Sequence, residues 1–250
     1  MRWYNRQTEN FMALNYQNNS QDEKKVVLQE NGSIIVYGNI PLVRKVQVVT
    51  EFGEPIAWKK GAVIETGENY ELCRCGLSND KPFCDHTHEL VDFNGKETAD
   101  TGLMVERQVV LPGSGKIIVK RDYSLCSDSG FCGNRFTTID QMLAESDDPR
   151  VLSQMIAMIE RCPSGSYTYS IVGEGEADIE PDLPQQIALI TDITSQGPII
   201  GPIWVTGYIP IKRSDGLPLE RRNRVTLCRC GLSKNKPFCD GKHREMKVKE

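Results

Sequence analysis

The stretch LCRCGLSNDKPFCDHTH runs from Leu72 to His88, and LCRCGLSKNKPFCDGKH runs from Leu227 to His243. Of the 17 aligned positions, 13 are identical, including three cysteines and one histidine in each copy. The shared spacing is C-x-C-x8-C-x3-H. It places Cys73, Cys75, Cys84 and His88 in the first copy, and Cys228, Cys230, Cys239 and His243 in the second. Three thiolates and one imidazole are soft, metal-ligating groups, and either zinc or an iron–sulfur cluster suits them. Structural zinc sites usually open with two to four residues between the first pair of cysteines. The single intervening residue here suits two ligands on one iron of a larger centre better than two ligands of one small ion, but both readings stand at this level.

The residues around the ligands have local roles. Asp85 and Asp240 follow a ligand cysteine and are suited to cap a helix start, which sets Cys and His four residues apart on one face. Ser78 and Ser233 are candidates to donate hydroxyl hydrogen bonds to a cluster's sulfides. Pro82 and Pro237 stiffen the loop that returns the third cysteine.

The duplication extends upstream. GSIIVYGNIPL (Gly32 to Leu42) aligns with GPIWVTGYIPI (Gly201 to Ile211). Both read as strands that end in a Gly/Pro turn. Further strands are expected at KVQVVT in the first copy and, as its counterpart, at NRVTLC in the second. Each copy is too small to bury a full core alone, so the copies are expected to pack together about a pseudo-twofold axis.

The segment between the copies differs from both. KIIVKRDY reads as a strand. DDPRVLSQMIAMIERCPSG reads as a helix with Asp148 as N-cap and Pro149 in its first turn. Val151, Leu152, Met155, Ile156 and Ile159 form its apolar face, and the helix ends at Cys162-Pro163. The first 30 residues are polar but carry Trp3, Tyr4, Phe11 and Tyr16, and read as an arm packed on the body.

Composition excludes several classes. No run of about 18 apolar residues is present, so no membrane span is expected. The N-terminal stretch does not read as a secretory signal. With nine cysteines and no such signal, metal binding is favoured over a disulfide framework, and a cytoplasmic location is expected. The net charge of −4 is unevenly spread: residues 140–182 are strongly acidic and residues 212–250 basic. The basic end lacks interleaved aromatics, so nucleic acid is not expected as a partner. There is no dinucleotide or phosphate loop and no nucleophile elbow, and two of the three histidines belong to the repeated motif, so no enzyme is read here.

CRCGLSxxKPFCDxxH resembles the signature of the CDGSH iron–sulfur (mitoNEET-like) family. The resemblance covers roughly half of the chain once the upstream strands are included. It implies a [2Fe–2S] cluster in each copy, held by the three Cys and one His named above. It also implies an architecture like that of the family's intertwined dimers, folded here from one chain, so that the protein is a monomer with internal pseudo-twofold symmetry. One position departs from the signature: the family's Gly after Cys-Asp is Gly241 in the second copy but His86 in the first. His86 is either a competing ligand or a surface side chain.

Cys126, Cys132 and Cys162 fall in the intervening segment. The spacing C-x2-S-x2-C with a distant Cys-Pro is similar to a bacterial ferredoxin site with Ser129 in place of the middle cysteine. The stretch from about Leu103 to Ile171 resembles the divergent single-cluster ferredoxin domains that accompany CDGSH motifs. That resemblance implies a third centre, [3Fe–4S] or [4Fe–4S]; the alternative is a domain that has lost its cluster.

The expected fold is therefore α+β. Residues 1–30 form the arm, 31–100 the first β-rich repeat, 101–180 a ferredoxin-like α+β insert and 181–250 the second repeat. The two repeats share a pseudo-dimeric β-cap. The expected function is electron transfer with a redox partner protein. The alternatives are storage of clusters and their donation to an apo-acceptor, or redox or pH sensing.

Overall fold

The computed structural model describes residues 24–113, 115–175 and 177–246. The N-terminal stretch with Trp3, Tyr4, Phe11 and Tyr16 lies outside them.

Three sheets organise the chain. The first has four strands: β1 (Lys25–Leu28), β2 (Ile34–Tyr37), β5 (Tyr70–Leu72) and β11 (Ile211–Lys212), in the order β11-β1-β2-β5. The second has five: β3 (Leu42–Val49), β4 (Pro55–Ile64), β9 (Gln186–Thr194), β10 (Gly197–Thr206) and β12 (Arg224–Leu227), in the order β12-β10-β9-β3-β4. A third sheet, of β6 (Val109–Val110), β7 (Ile117–Arg121) and β8 (Tyr167–Ile171), belongs to the intervening segment.

The first two sheets repeat one another in register. β2 pairs with β5 through Ile34↔Leu72, and β10 pairs with β12 through Ile203↔Leu227. β1 pairs with β2 through Leu28↔Ile34, and β9 pairs with β10 through Leu189↔Ile203. Each chain segment then crosses into the other sheet after its Gly-x-Ile-Pro turn. β3 adds in parallel to β9, with Ile187 N–H donating to Pro41 O at 2.9 Å; β11 adds in parallel to β1, with Val26 N–H donating to Pro210 O at 2.9 Å.

This exchange explains how two small units form one core. Val26, Leu28, Ile34, Val36, Ile40, Leu42 and Leu72 bury against Ile187, Leu189, Ile203, Val205, Ile209 and Leu227 in a single cluster. Each such side chain contributes about 1.5–3 kcal/mol by leaving water. Neither repeat could collect that much apolar area alone.

The strands at Ile34–Tyr37 and Ile203–Thr206 form as the sequence indicates, but in different sheets. One correspondence is corrected. NRVTLC supplies β12, whose counterpart in the first repeat is β5; KVQVVT lies in β3, which runs on to pair with β4 as a long hairpin. The misalignment arises because the hairpin exists in one copy only. β1 falls inside the polar stretch assigned to the arm, where Lys24 and Lys25 mask a two-position alternation that buries Val26 and Leu28.

The intervening segment has its own core. It comprises the short helices α1 (Met104–Arg107) and α2 (Ile139–Met142) and the longer α3 (Pro149–Arg161). Asp148 accepts from Arg150 N–H, Pro149 opens α3, and Cys162 ends it. Met155, Met158 and Ile159 pack on Ile117, Val119, Tyr167 and Tyr169, with Val151, Leu152 and Ile156 at the margin. This core is tied to the second repeat by Arg224, which is almost fully buried. Its guanidinium donates to Ile159 O (2.7 Å), Glu160 O (2.9 Å) and Cys162 O (2.9 Å), carbonyls at the end of α3 where the helix supplies few donors. Glu180 at 2.8 Å balances its charge. Among the described residues no helix is long and apolar enough to cross a membrane.

Candidate metal centres

Each repeated motif hangs from the end of a strand pair. In the first, Cys73 N–H donates to Pro82 O (2.9 Å) and Cys84 N–H to Glu71 O (3.0 Å), and Leu72 bridges to Phe83. In the second, Cys228 N–H donates to Pro237 O (2.8 Å) and Cys239 N–H to Thr226 O (2.9 Å), and Leu227 bridges to Phe238. The bonds between Lys81 and Pro82 and between Lys236 and Pro237 are both cis. Asp85 accepts from Thr87 N–H (3.0 Å) and Asn79 N–H (2.8 Å), and Asp240 from Lys242 N–H (3.2 Å) and Lys234 N–H (2.8 Å). The capping carboxylates therefore clamp the whole loop as well as starting a turn. In the first copy that turn is a single 3-10 turn, Thr87–Glu89, while the second has a short α-helix, α4 (Lys242–Met246).

The serines act differently from the expectation. Ser78 Oγ donates to Phe83 O (2.7 Å) and accepts from Asp80 N–H (3.0 Å). Ser233 Oγ donates to Phe238 O (2.7 Å) and accepts from Asn235 N–H (3.0 Å). Each hydroxyl proton closes the loop and is not aimed at a metal centre. Backbone amides face the sulfurs instead: Leu77 N–H reaches Cys75 Sγ at 3.4 Å and Gly241 N–H reaches Cys239 Sγ at 3.5 Å.

The donor atoms fall into pairs. Cys73 Sγ and Cys75 Sγ are 3.7 Å apart, and Cys84 Sγ and His88 Nδ1 are 3.3 Å apart. In the second motif the corresponding distances are 3.9 Å and 3.4 Å. Two sulfurs on one tetrahedral metal with bonds near 2.3 Å sit about 3.8 Å apart, and a sulfur–nitrogen pair about 3.5 Å. Each pair thus fits a separate metal ion. Among the described residues, no three of the four motif ligands of either repeat gather within 4.8 Å of one another; Cys84, His86 and His88 are the group that does. One zinc ion would need all four donors that close, so the spacing fits a centre with two metal ions. Both histidines present Nδ1.

Cys75, Cys84, Cys230 and Cys239 are held against ionisation until a metal displaces their protons, whereas Cys228 ionises readily. Burial pushes Cys75 up to about 11 and raises Cys84 and Cys239 as well. The hydrogen bond between Cys228 and Cys230 pulls Cys228 down to about 6 and, with burial, pushes Cys230 up. Such a set binds metal with release of protons.

The two loops meet back to back. A Cβ on Gly76 would lie 2.8 Å from Cys230 O, and one on Gly231 would lie 2.5 Å from Cys75 O. The glycine after Cys-x-Cys is therefore required by the approach of the other copy. Beyond this shared contact the surroundings diverge. His86 sits at the surface with φ 63°, its Nδ1 3.1 Å from Glu89 Oε1. An open groove of about 690 Å³ runs past His88, Glu89, Glu30 and Asp92. At the equivalent position Gly241 has φ 82°, and a Cβ there would lie 2.5 Å from Asp128 Cβ. The loop between Cys126 and Cys132 covers the second motif, so only the uncovered first motif has room for a side chain.

Arg121 lies over the rings of Tyr123 (4.1 Å) and Tyr167 (4.6 Å) and close enough to Cys126 and Cys132 to interact with both. Burial raises the Cys132 thiol, with Cys162 the next cause. All nine cysteines are free.

Two residues close to the second motif were not singled out in the sequence. His243 Nε2 lies 2.8 Å from Asp192 Oδ2, and Arg244 Nη1 lies 3.3 Å from the same oxygen. A lone carboxylate inside the apolar run QIALITDIT was the available signal.

Two stretches, residues 31–89 and 200–244, match the family model described as iron-binding zinc finger CDGSH type. Searches of curated proteins and of solved structures gave no match.

Proposed function

We propose that this chain, two stretches of which match the CDGSH-type iron-binding family model, is a tandem member of that family and an electron-transfer protein with a [2Fe–2S] cluster in each repeat. Cys73, Cys75, Cys84 and His88 hold the first, and Cys228, Cys230, Cys239 and His243 the second. The observation that carries this reading is the pairing of donors at 3.3–3.9 Å without a compact set of four. When bound, such clusters supply reversible one-electron chemistry. The protein's part is to hold the ligands, exclude water and bring the two sites together. The reciprocal strand exchange and the Gly76–Cys230 and Gly231–Cys75 contacts support a pseudo-twofold arrangement with the sites adjacent. That proximity favours electron exchange within one chain.

We further propose that Cys126, Cys132 and Cys162 hold a third centre, [3Fe–4S] or [4Fe–4S], in a ferredoxin-like insert. Cys126 and Cys132 interact with Arg121, and Cys162 acts on Cys132; such a group suits an anionic cluster, whose charge Arg121 would balance. The partner is a redox protein, with an apo-acceptor of clusters as the second reading; the exposed first motif is the face on which either would meet it.

Iron and acid-labile sulfide per chain test the assignment. About four of each corresponds to two loaded repeats, and about seven or eight irons to a loaded insert as well. Stoichiometric zinc without sulfide overturns it. Reversible reduction without iron loss supports electron transfer, whereas loss of iron to apo-ferredoxin supports donation.

A further inference from the structure

The two metal sites have the same ligands but not the same support, and the difference lies in one buried carboxylate. Asp192 and His243 are each 2% exposed, with Asp192 Oδ2 2.8 Å from His243 Nε2. His243 presents Nδ1 to the metal position, so Nε2 carries the proton and donates it to the carboxylate. At the first site the ring of His88 is 10% exposed, and among the described residues the carboxylate nearest its Nε2 is that of Glu89, with Oε1 at 4.0 Å, beyond hydrogen-bond reach. The cause is topological. Leu28 and Leu189 occupy the same register, but β1 stops at Leu28 while β9 runs on to Thr194 and carries Asp192 over the second motif.

Asp192 is also costly. Its Oδ1 is buried without a hydrogen-bond partner. Its charge is balanced only in part by Arg244, whose Nη1 is 3.3 Å away. A buried, underpaired carboxylate lowers stability by kcal/mol amounts. Local rules broken in this way mark function.

From these observations, and resting on the reading that His243 ligates a cluster through Nδ1, we infer that Asp192 is a positioning residue that sets the second cluster at a lower reduction potential than the first. An imidazole that donates to a carboxylate is a stronger ligand, and the negative charge opposes adding an electron nearby. The dry surroundings of the second site act in the same direction, because they solvate added charge poorly. The first site, open to water and without a carboxylate on its imidazole, is the more easily reduced. An electron shared between the two therefore rests at the exposed site, beside the groove.

The test is a redox titration of the full-length holoprotein, followed by electron paramagnetic resonance. The wild type is expected to show two transitions with the spectrum of [2Fe–2S] centres, apart from that of the third centre. Asp192→Asn keeps the shape and removes the charge; it should move the lower transition upward by about tenfold in the redox equilibrium, about 59 mV for one electron, and leave the upper one in place. Arg244→Gln, at a partly exposed position, should move the same transition downward, because it leaves the carboxylate uncompensated. A role confined to packing would not produce shifts of opposite sign. Shifts of the same sign, no shift, or equal movement of both transitions would overturn the inference while leaving the cluster assignment intact. If instead His243→Ala leaves iron and sulfide unchanged, the second cluster itself is misassigned and the inference falls with it.

Discussion

The two motifs of this chain match at 13 of 17 positions and share their donor distances, yet they occupy different environments. The first is open: His86 and Glu89 stand in solvent beside it, and a groove passes its histidine. The second is roofed by the loop between Cys126 and Cys132 and backed by the extension of β9. Gln47 links the two covers, donating through Nε2 to Ser129 O (2.7 Å) and accepting through Oε1 from Ile193 N–H (3.3 Å). The same candidate ligand set can therefore stand in two environments in one molecule, because the residues that decide solvent access lie outside the motif.

The largest expected effect removes a site altogether. His88→Ala should abolish or greatly destabilise the first cluster only, and His243→Ala the second only. Iron should fall by about two per chain in each single variant and by about four in the double, leaving only what the third centre holds. His86→Gly should leave the first cluster's visible spectrum unchanged. If His86 proves essential and His88 dispensable, the ligand assignment of the first repeat is wrong.

Exchanging the residues after Cys-Asp breaks the comparison next. Gly241→His forces a side chain into Asp128 at a backbone angle that favours glycine. It should cost about 2–4 kcal/mol, read as a lower unfolding midpoint and loosened packing of the insert. The reciprocal His86→Gly should change stability by less than about 1 kcal/mol.

Iron removal gives a kinetic form of the same contrast. An external chelator should take iron from the first site about tenfold faster than from the second, because only the second must open locally before it is reached. Equal rates would mean that the insert's cover does not protect the second site.

The smallest effect concerns the seam between the repeats. Lys45, on the strand that the first repeat contributes to the second sheet, lies 3.9 Å from the Trp204 ring. Burial, reinforced by Lys60, lowers its pKa to about 8. Because the folded value is below the unfolded one, the charged form is penalised in the folded state. That penalty is complete below about pH 8 and disappears as pH rises toward about 10.4. Lys45→Met should therefore stabilise the protein by about 1 kcal/mol at pH 7, after allowance for solvent screening and the lost ring contact. The gain should vanish near pH 10.4, which thermal melts across that range would measure.

Several elements were legible from local pattern. The helix from Pro149 was readable because Asp148, the proline and an apolar stripe coincide within 13 residues. β7 and the strands that open each copy were readable from β-branched runs. The pairing of NRVTLC with KVQVVT failed because the β3–β4 hairpin belongs to one copy only. The role given to Ser78 and Ser233 failed because a hydroxyl near a ligand cysteine has two kinds of acceptor, and only the folded loop presents the carbonyls of Phe83 and Phe238.

The candidate ligands themselves were determined by the sequence, since C-x-C-x8-C-x3-H brings its donors together within one loop and needs little from the rest of the chain. The tertiary structure decided what distinguishes the two copies. Asp192 is 51 residues from His243, and Asp128 is more than 100 residues from Gly241, so no local spacing relates them. It also decided the exchange of β3 and β11, because a strand's partner is set by which apolar face it can bury, and that face is assembled only when both repeats have folded.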